Sequence, residues 1–199
     1  MDLARYKVWL NGDVAYYPVR KSGSTSLQHA FGGEPVDMRL VPMKGIRSFT
    51  MVRNPFDRLA SLYANHLDYY PLQQSGIEKG MSFEEFISKV CDTREPLCDH
   101  HLWGADHTTP HEAEVFWFED FGNELLRLRR FLGRPFPVRH FYSNKAPKPE
   151  YTTTLESQVA QRYDKDLKRF YENNRTQQDC RARGKTEAEL RRKATPRTS

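Results

Sequence analysis

At 199 residues the chain is expected to form one domain, with room for a core and one substrate cleft and too little length for two catalytic units. Its 38% hydrophobic and 13% aromatic content excludes a disordered polymer, and no run reaches the ~18 apolar residues of a membrane span. The net charge of +5 sits wholly at the end, where residues 175–199 carry eight Lys or Arg against three acids; residues 1–174 hold 23 of each sign, so overall charge does not make the body a nucleic-acid-binding surface.

This asymmetry predicts a folded domain over residues 1–174 and a basic tail over 175–199 with no core contact. Met1 to Leu10 lacks the apolar run and cleavage site of a secretory signal. Cys91, Cys98 and Cys180 are too few for a disulfide scaffold and form no paired zinc motif. The expectation is a cytoplasmic protein without membrane insertion, with a Cys91–Cys98 bridge left open and oligomeric state unassigned.

Residues 13–19 (DVAYYPV) read as a strand, followed by a loop over 20–26 and a helix carrying Leu27, Ala30 and Phe31. Gly32 and Gly33 stop that helix, and 34–45 reads as a loop with a short strand over 38–41. Residues 48–53 form a second buried-type strand. Asn54 as N-cap, Pro55 at the first helical position and Asp57 in the first turn then start a helix with Phe56, Leu59, Ala60, Leu62 and Tyr63 on its apolar side. Ser82 and Glu85 make a capping box for a helix over 82–90. Residues 91–112, rich in His, Asp, Thr and Pro, read as an irregular surface segment. A strand over 114–118, an amphipathic helix over 121–132 ended by Gly133, and helical spacing over 155–171 complete the pattern. The fold class is therefore α/β: a P-loop-like, three-layer arrangement with a central parallel sheet flanked by helices.

Two strand ends carry anion-binding chemistry. A strand that turns into a helix through small residues aims backbone N–H groups and the helix dipole at one spot. Here Lys21 adds a full charge, Gly23 allows close approach, and Ser22, Ser24, Thr25 and Ser26 supply further donors. The Walker A spacing is absent. At the second strand end, Arg53 is placed to clamp another anion, with Ser61 two turns into the next helix. Two separated anion sites with no carboxylate for magnesium suggest a nucleotide phosphorylated at both ends.

These segments carry a family resemblance. Lys21-Ser22-Gly23-Ser24-Thr25-Ser26-Leu27 resembles the loop that binds the 5′-phosphosulfate in sulfotransferases, and residues 52–63 (VRNPFDRLASLY) resemble their 3′-phosphate motif, R-x-P-x-x-R-x-x-S-x-Y. Weaker features follow in the order of Golgi-type carbohydrate sulfotransferases: His101 to Trp103, Phe118-Glu119-Asp120, an Asn144 loop, and Tyr163, Asp164, Phe170 and Tyr171.

The resemblance implies 3′-phosphoadenylyl sulfate (PAPS) as donor and transfer of its sulfuryl group to a hydroxyl, a saccharide first among acceptors that also include small alcohols, phenols and Tyr side chains. It assigns Lys21 to the leaving oxygen, residues 22–26 to the 5′ end, and Arg53 with Ser61 to the 3′-phosphate, with no metal. For the general base, Glu34 and His101 are the leading candidates, ahead of Asp37 and His66, and His29 reads as a surface residue. A zinc site among His100, His101, His107, His111, Cys91 and Cys98 matches no standard spacing. Tyr69, Tyr70 and Trp103 are the aromatic candidates for stacking on an acceptor. The rival readings are a small magnesium-dependent P-loop kinase and a nucleic-acid-binding module using the basic tail.

Overall fold

The computed structural model describes residues 6–41, 45–67, 70–95, 97–138 and 149–172. The basic tail, the Asn144 loop, Tyr69 and Cys180 lie outside them, as do the side chains of His66 and Tyr70.

The chain runs β1 (Lys7–Asn11), β2 (Val14–Pro18), α1 (Ser24–Phe31), β3 (Glu34–Asp37), β4 (Arg47–Val52), α2 (Pro55–His66), α3 (Tyr70–Gln74), α4 (Phe83–Asp92), α5 (Ala105–Thr108), β5 (Glu114–Trp117), α6 (Phe121–Leu132), α7 (Thr153–Arg162) and α8 (Asp164–Leu167). One five-stranded sheet has the order β3-β1-β2-β4-β5. Its centre is parallel, β2 with β4 and β4 with β5. The expected parallel sheet is found at the centre, and at one side β1 runs antiparallel to both β2 and β3. β3 replaces the loop expected there, and a 3-10 turn over Met38–Leu40 stands where a strand was expected. A four-residue strand containing Glu34 and Pro35 is invisible to strand propensity and is tolerated because it lies at the sheet edge.

Every residue of β2 is buried, which identifies it as a central strand covered on both faces. Val14 and Tyr16 point to one face, where Leu27 and Phe31 of α1, Phe49 and Met51 of β4, Phe116 of β5 and Leu128 and Leu132 of α6 complete a core. Ala15 and Tyr17 point to the other, packed with Leu59 and Leu62 of α2, Phe86 and Val90 of α4, and Leu155 and Val159 of α7. Two layers of helix thus sandwich the sheet.

Residues 91–112 are not a surface segment. Leu102 is fully buried and Trp103 is 4% exposed; the Trp103 ring stacks on Tyr6 at 6.2 Å and its indole N–H donates to the Cys98 carbonyl. The long C-terminal helix is also interrupted. At Tyr163 the backbone leaves helical geometry (φ −111°, ψ 29°), and the Tyr163 hydroxyl donates to the Leu102 carbonyl, so the break docks the helix pair onto the irregular segment.

Gly33 shows how tightly α1 hands over to β3. It sits at φ +82°, and a Cβ there would lie 2.1 Å from the Leu10 carbonyl oxygen. Gly33→Ala is expected to cost on the order of 2 kcal/mol or more, a fall of about 4–8 °C in Tm by thermal unfolding. Gly76→Ala, at φ +73° with open space around the Cβ position, is the control and lowers Tm less.

Candidate active site

The parallel register levels three strand ends: Pro18 lies opposite Met51, and Val52 opposite Trp117. Val19, Val52 and Trp117 bury together with Phe170. Three segments leave this platform: the 20–23 turn, Arg53, and Phe118. Their meeting point is where an open α/β sheet binds ligands.

In the first segment, Lys21 adopts a left-handed backbone (φ +65°), a strained state for a residue with a Cβ, and Gly23 follows at φ +72°. α1 then begins at Ser24 with no side chain capping it, so its first-turn N–H groups point out of the loop without a hydroxyl or carboxylate partner from the usual capping position. Ser22 is fully buried and its Oγ has no hydrogen-bond partner among the described residues. Ser24 is buried, while Thr25 and Ser26 are half-buried on the first turn. Gly23 is required by its dihedral and by a neighbour: a Cβ there would meet the Phe118 ring at 3.0 Å.

Phe118 also supports the second segment. The Arg53 guanidinium lies 4.8 Å from the Phe118 ring centroid, and its Nη1 donates to the Lys21 carbonyl at 3.1 Å. The two residues expected to serve separate anions are therefore linked through the Lys21 backbone. Burial, opposed by the nearby Asp57 and Glu119 carboxylates, lowers the Arg53 guanidinium below its ordinary value. Burial first, and the Arg53 charge second, lower the Lys21 ammonium to about 8. The start of α2 is secured separately: the Asn54 side chain accepts from the Phe56 N–H, and Glu119 accepts from the Asn54 N–H at 2.5 Å.

The rest of the α2 motif divides by burial. Ser61 is half-buried two turns into the helix. Arg58 is 2% exposed, donates to the Trp103 carbonyl at 2.7 Å, faces Asp166 at 3.7 Å and lies over the Tyr163 ring. It is a structural strut that holds residues 99–103 against the sheet.

That strut positions His101. Its Nδ1 is 2.5 Å from Asp99 Oδ1, which also accepts from the His101 backbone N–H. Burial first, opposed by the Asp99 hydrogen bond, lowers the imidazole to about 4, so the ring is neutral at physiological pH. Burial alone raises the Asp99 carboxyl, but hydrogen bonds from His100, His101 and the His101 amide outweigh it and hold the group well below the usual carboxylate range.

The ligand-type atoms of Asp99, His100 and His101 lie within 4.8 Å of one another. Two atoms bound tetrahedrally at about 2.0 Å to one zinc stand about 3.3 Å apart, so the Asp99–His101 separation is that of a hydrogen bond. The other members of the expected histidine and cysteine cluster go elsewhere: His107 faces Glu95 at 3.7 Å, His111 is exposed, and Cys91 and Cys98 are free thiols.

The remaining base candidates do not join the site. Glu34 is exposed and pairs with Leu10 at the opposite end of the sheet from the levelled strand ends. Asp37 lies at the correct end but on the edge strand, where hydrogen bonds from the Arg39 side chain and amide pull its carboxyl down to about 2. His29 is exposed on α1, as expected. Trp103 is packing, not a platform for an acceptor.

Asp99 was not legible as a site residue, and Phe118 was named only within the weaker Phe118-Glu119-Asp120 feature. Asp99 two positions before His101 is a local signal, since the i to i+2 spacing permits the side-chain-to-amide hydrogen bond seen here.

Comparison with known proteins gives a single kind of match. Residues 39–178 match the sulfotransferase family, a span that is well over half the chain and contains Arg53, Ser61 and His101 but begins after the Lys21 loop. No curated protein matches, and no solved structure matches. No helix among the described residues is long and apolar enough to cross a membrane. With most of its length matched, this chain belongs to the sulfotransferase family.

Proposed function

We propose that this protein transfers the sulfuryl group of PAPS to an acceptor hydroxyl, with a carbohydrate as the favoured acceptor and no metal required. The observation that carries the reading is the junction of Lys21 and Arg53, two partly buried cations brought together through the Lys21 carbonyl. Such a pair is stabilised by a polyanion. The turn over residues 20–23 before the uncapped α1 supports a P-loop-like phosphate seat, and the orphaned Ser22 Oγ and first-turn N–H groups fit the oxygens of a 5′-phosphosulfate.

The donor supplies a sulfuryl group on a phosphate leaving group. Lys21 lies where charge develops on the bridging oxygen as its bond to sulfur breaks, so its ammonium is worth most in the transition state. Gly23, Ser24, Thr25 and Ser26 orient the 5′ end through backbone and hydroxyl donors, and Arg53 with Ser61 fixes the 3′-phosphate and thereby the register. His101 is the general base in preference to Glu34. Asp99 accepts from Nδ1–H, so the ring lone pair is on Nε2, the atom that would take the acceptor proton as the new sulfur–oxygen bond forms. The products are the sulfated acceptor, adenosine 3′,5′-bisphosphate and that proton.

Calorimetry separates this reading from a kinase: adenosine 3′,5′-bisphosphate is expected to bind in the presence of a chelator, and ATP with magnesium to bind far more weakly. The reverse order of affinity overturns the assignment. Lys21→Met is expected to reduce turnover of labelled donor by at least about 10²-fold while leaving Tm unchanged or raised, because it removes a partly buried charge that Arg53 repels.

The pH profile of kcat/KM follows from the same two groups. His101 acts deprotonated, so activity rises with pH through about 4; Lys21 acts protonated, so activity falls through about 8. Asp99→Asn is expected to lower kcat by about 10²–10⁴-fold, move the acid limb to lower pH, and leave affinity for adenosine 3′,5′-bisphosphate intact.

A further inference from the structure

His100 stands one residue before His101 with its side chain 16% exposed, and its Nε2 is buried with no hydrogen-bond partner among the described residues. An unsatisfied nitrogen in the interior carries a desolvation cost that a phenyl ring of similar shape would avoid. An imidazole is favoured at this position only if its other nitrogen offsets that cost.

That other nitrogen faces Asp99. The two carboxylate oxygens divide between neighbouring rings: Oδ1 lies 2.5 Å from His101 Nδ1 and accepts from the His101 amide at 2.9 Å, while Oδ2 lies 3.5 Å from His100 Nδ1. The Asp99 side chain is 8% exposed, so each oxygen depends on donors from the protein. Its backbone is anchored separately, by the Asp99 N–H donating to Ser75 Oγ at 3.2 Å. The His100 ring is held by packing. Its centroid is 4.6 Å from that of His101, with the planes 38° apart, and it meets Trp103 edge-on at 6.4 Å. Trp103 is fixed in turn through Cys98 and Arg58. A rigidly packed ring therefore directs Nδ1 at an anion, and the nitrogen facing an ionised carboxylate carries the proton.

Resting on the reading of His101 as general base, we propose that His100 is a positioning residue: it holds Oδ2 of Asp99, so that Oδ1 stays on His101 Nδ1 and the base keeps its lone pair on Nε2. Hydrogen bonds from both imidazoles are among those that hold the Asp99 carboxyl down, as a carboxylate shared between two donors requires. Without the second donor the carboxylate is free to turn about its Cβ–Cγ bond, and the contact that selects the Nδ1–H tautomer of His101 loosens. The tautomer matters because an imidazole with its proton on Nε2 has no lone pair there to receive one.

The test reads the His101 tautomer of the full chain at neutral pH by long-range 1H–15N NMR, with calorimetry of adenosine 3′,5′-bisphosphate and turnover of labelled donor alongside. The wild type is expected to show the Nδ1–H form alone. His100→Phe keeps the ring packing and removes the donor; it should give a mixture of both tautomers and a fall in turnover of about 10–10²-fold, with affinity for adenosine 3′,5′-bisphosphate unchanged. His100→Asn, whose amide N–H occupies the place of Nδ1–H, should restore the single tautomer and most of the turnover. A single Nδ1–H tautomer in His100→Phe, an Nε2–H tautomer in the wild type, or failure of His100→Asn to restore what His100→Phe loses overturns the proposal. Should His100→Phe not fold, His100→Gln replaces it, since its amide reaches the Nε2 position instead; an undisturbed His101 tautomer in that variant is equally fatal. Failure of the wild type to bind adenosine 3′,5′-bisphosphate overturns the sulfuryl-transfer reading instead, and the tautomer still judges the part played by His100.

Discussion

The Arg53 guanidinium ties the site together. One N–H reaches the Lys21 carbonyl, and its face rests over Phe118, whose ring also occupies the space that a side chain at position 23 would need. Three strand ends that are distant in sequence are thereby joined through one planar cation. This works only because β2, β4 and β5 are parallel and level, so that their carboxyl ends present consecutive loops to the same volume. An antiparallel partner at β4 would send Arg53 to the other end of the sheet.

The arrangement is held against electrostatic and conformational cost. Lys21 and Arg53 repel each other in a partly desolvated setting, and the Lys21 backbone is left-handed without being glycine. Strain and unpaired charge of this kind persist where the surrounding packing over-determines them. Here the packing is the cluster of Val19, Val52, Trp117 and Phe170 beneath the strand ends, with the Trp117 indole N–H donating to the Phe170 carbonyl. A ligand that satisfies both cations would recover that cost, which is the physical basis of the proposed anion site.

The irregular segment over residues 97–113 is rigid for a different reason. Its backbone groups bond to side chains delivered from the helices instead of to a ladder. Arg58 takes the Trp103 carbonyl, Tyr163 the Leu102 carbonyl, Asp166 the N–H groups of Ala105 and Asp106, and Arg169 the carbonyls of Thr109 and Pro110. Buried backbone polar groups must find partners, and a segment without periodic partners finds them on charged side chains. That is how Asp99 and His101 are held beside β2 although they themselves lie in neither helix nor strand. It also explains why this stretch reads as solvent-exposed: His, Asp and Thr are polar by composition, yet here they satisfy an interior.

What the amino-acid order settled by itself was local. The Asn54-Pro55 helix start, the Ser82 capping box, the Gly133 stop and the buried strands β2, β4 and β5 each follow from residues within a few positions of one another. Lys21 and Arg53 as candidate anion-binding residues rest on the same kind of reasoning, since a strand end followed by a helix start is a local pattern. What only the tertiary structure decided was partnership across the chain. Glu34 and His101 were equal candidates by residue type, and the sheet register separated them by sending one to the far end and docking the other beside β2. Arg58 and Arg53 sit five positions apart in one motif, and burial against Asp166 and Tyr163 made the first a strut while the second stayed at the site. A charged side chain carries no mark of its partner in its neighbours; that is fixed only when distant segments pack and the cost of burying the charge must be met by whatever lies within a few ångströms.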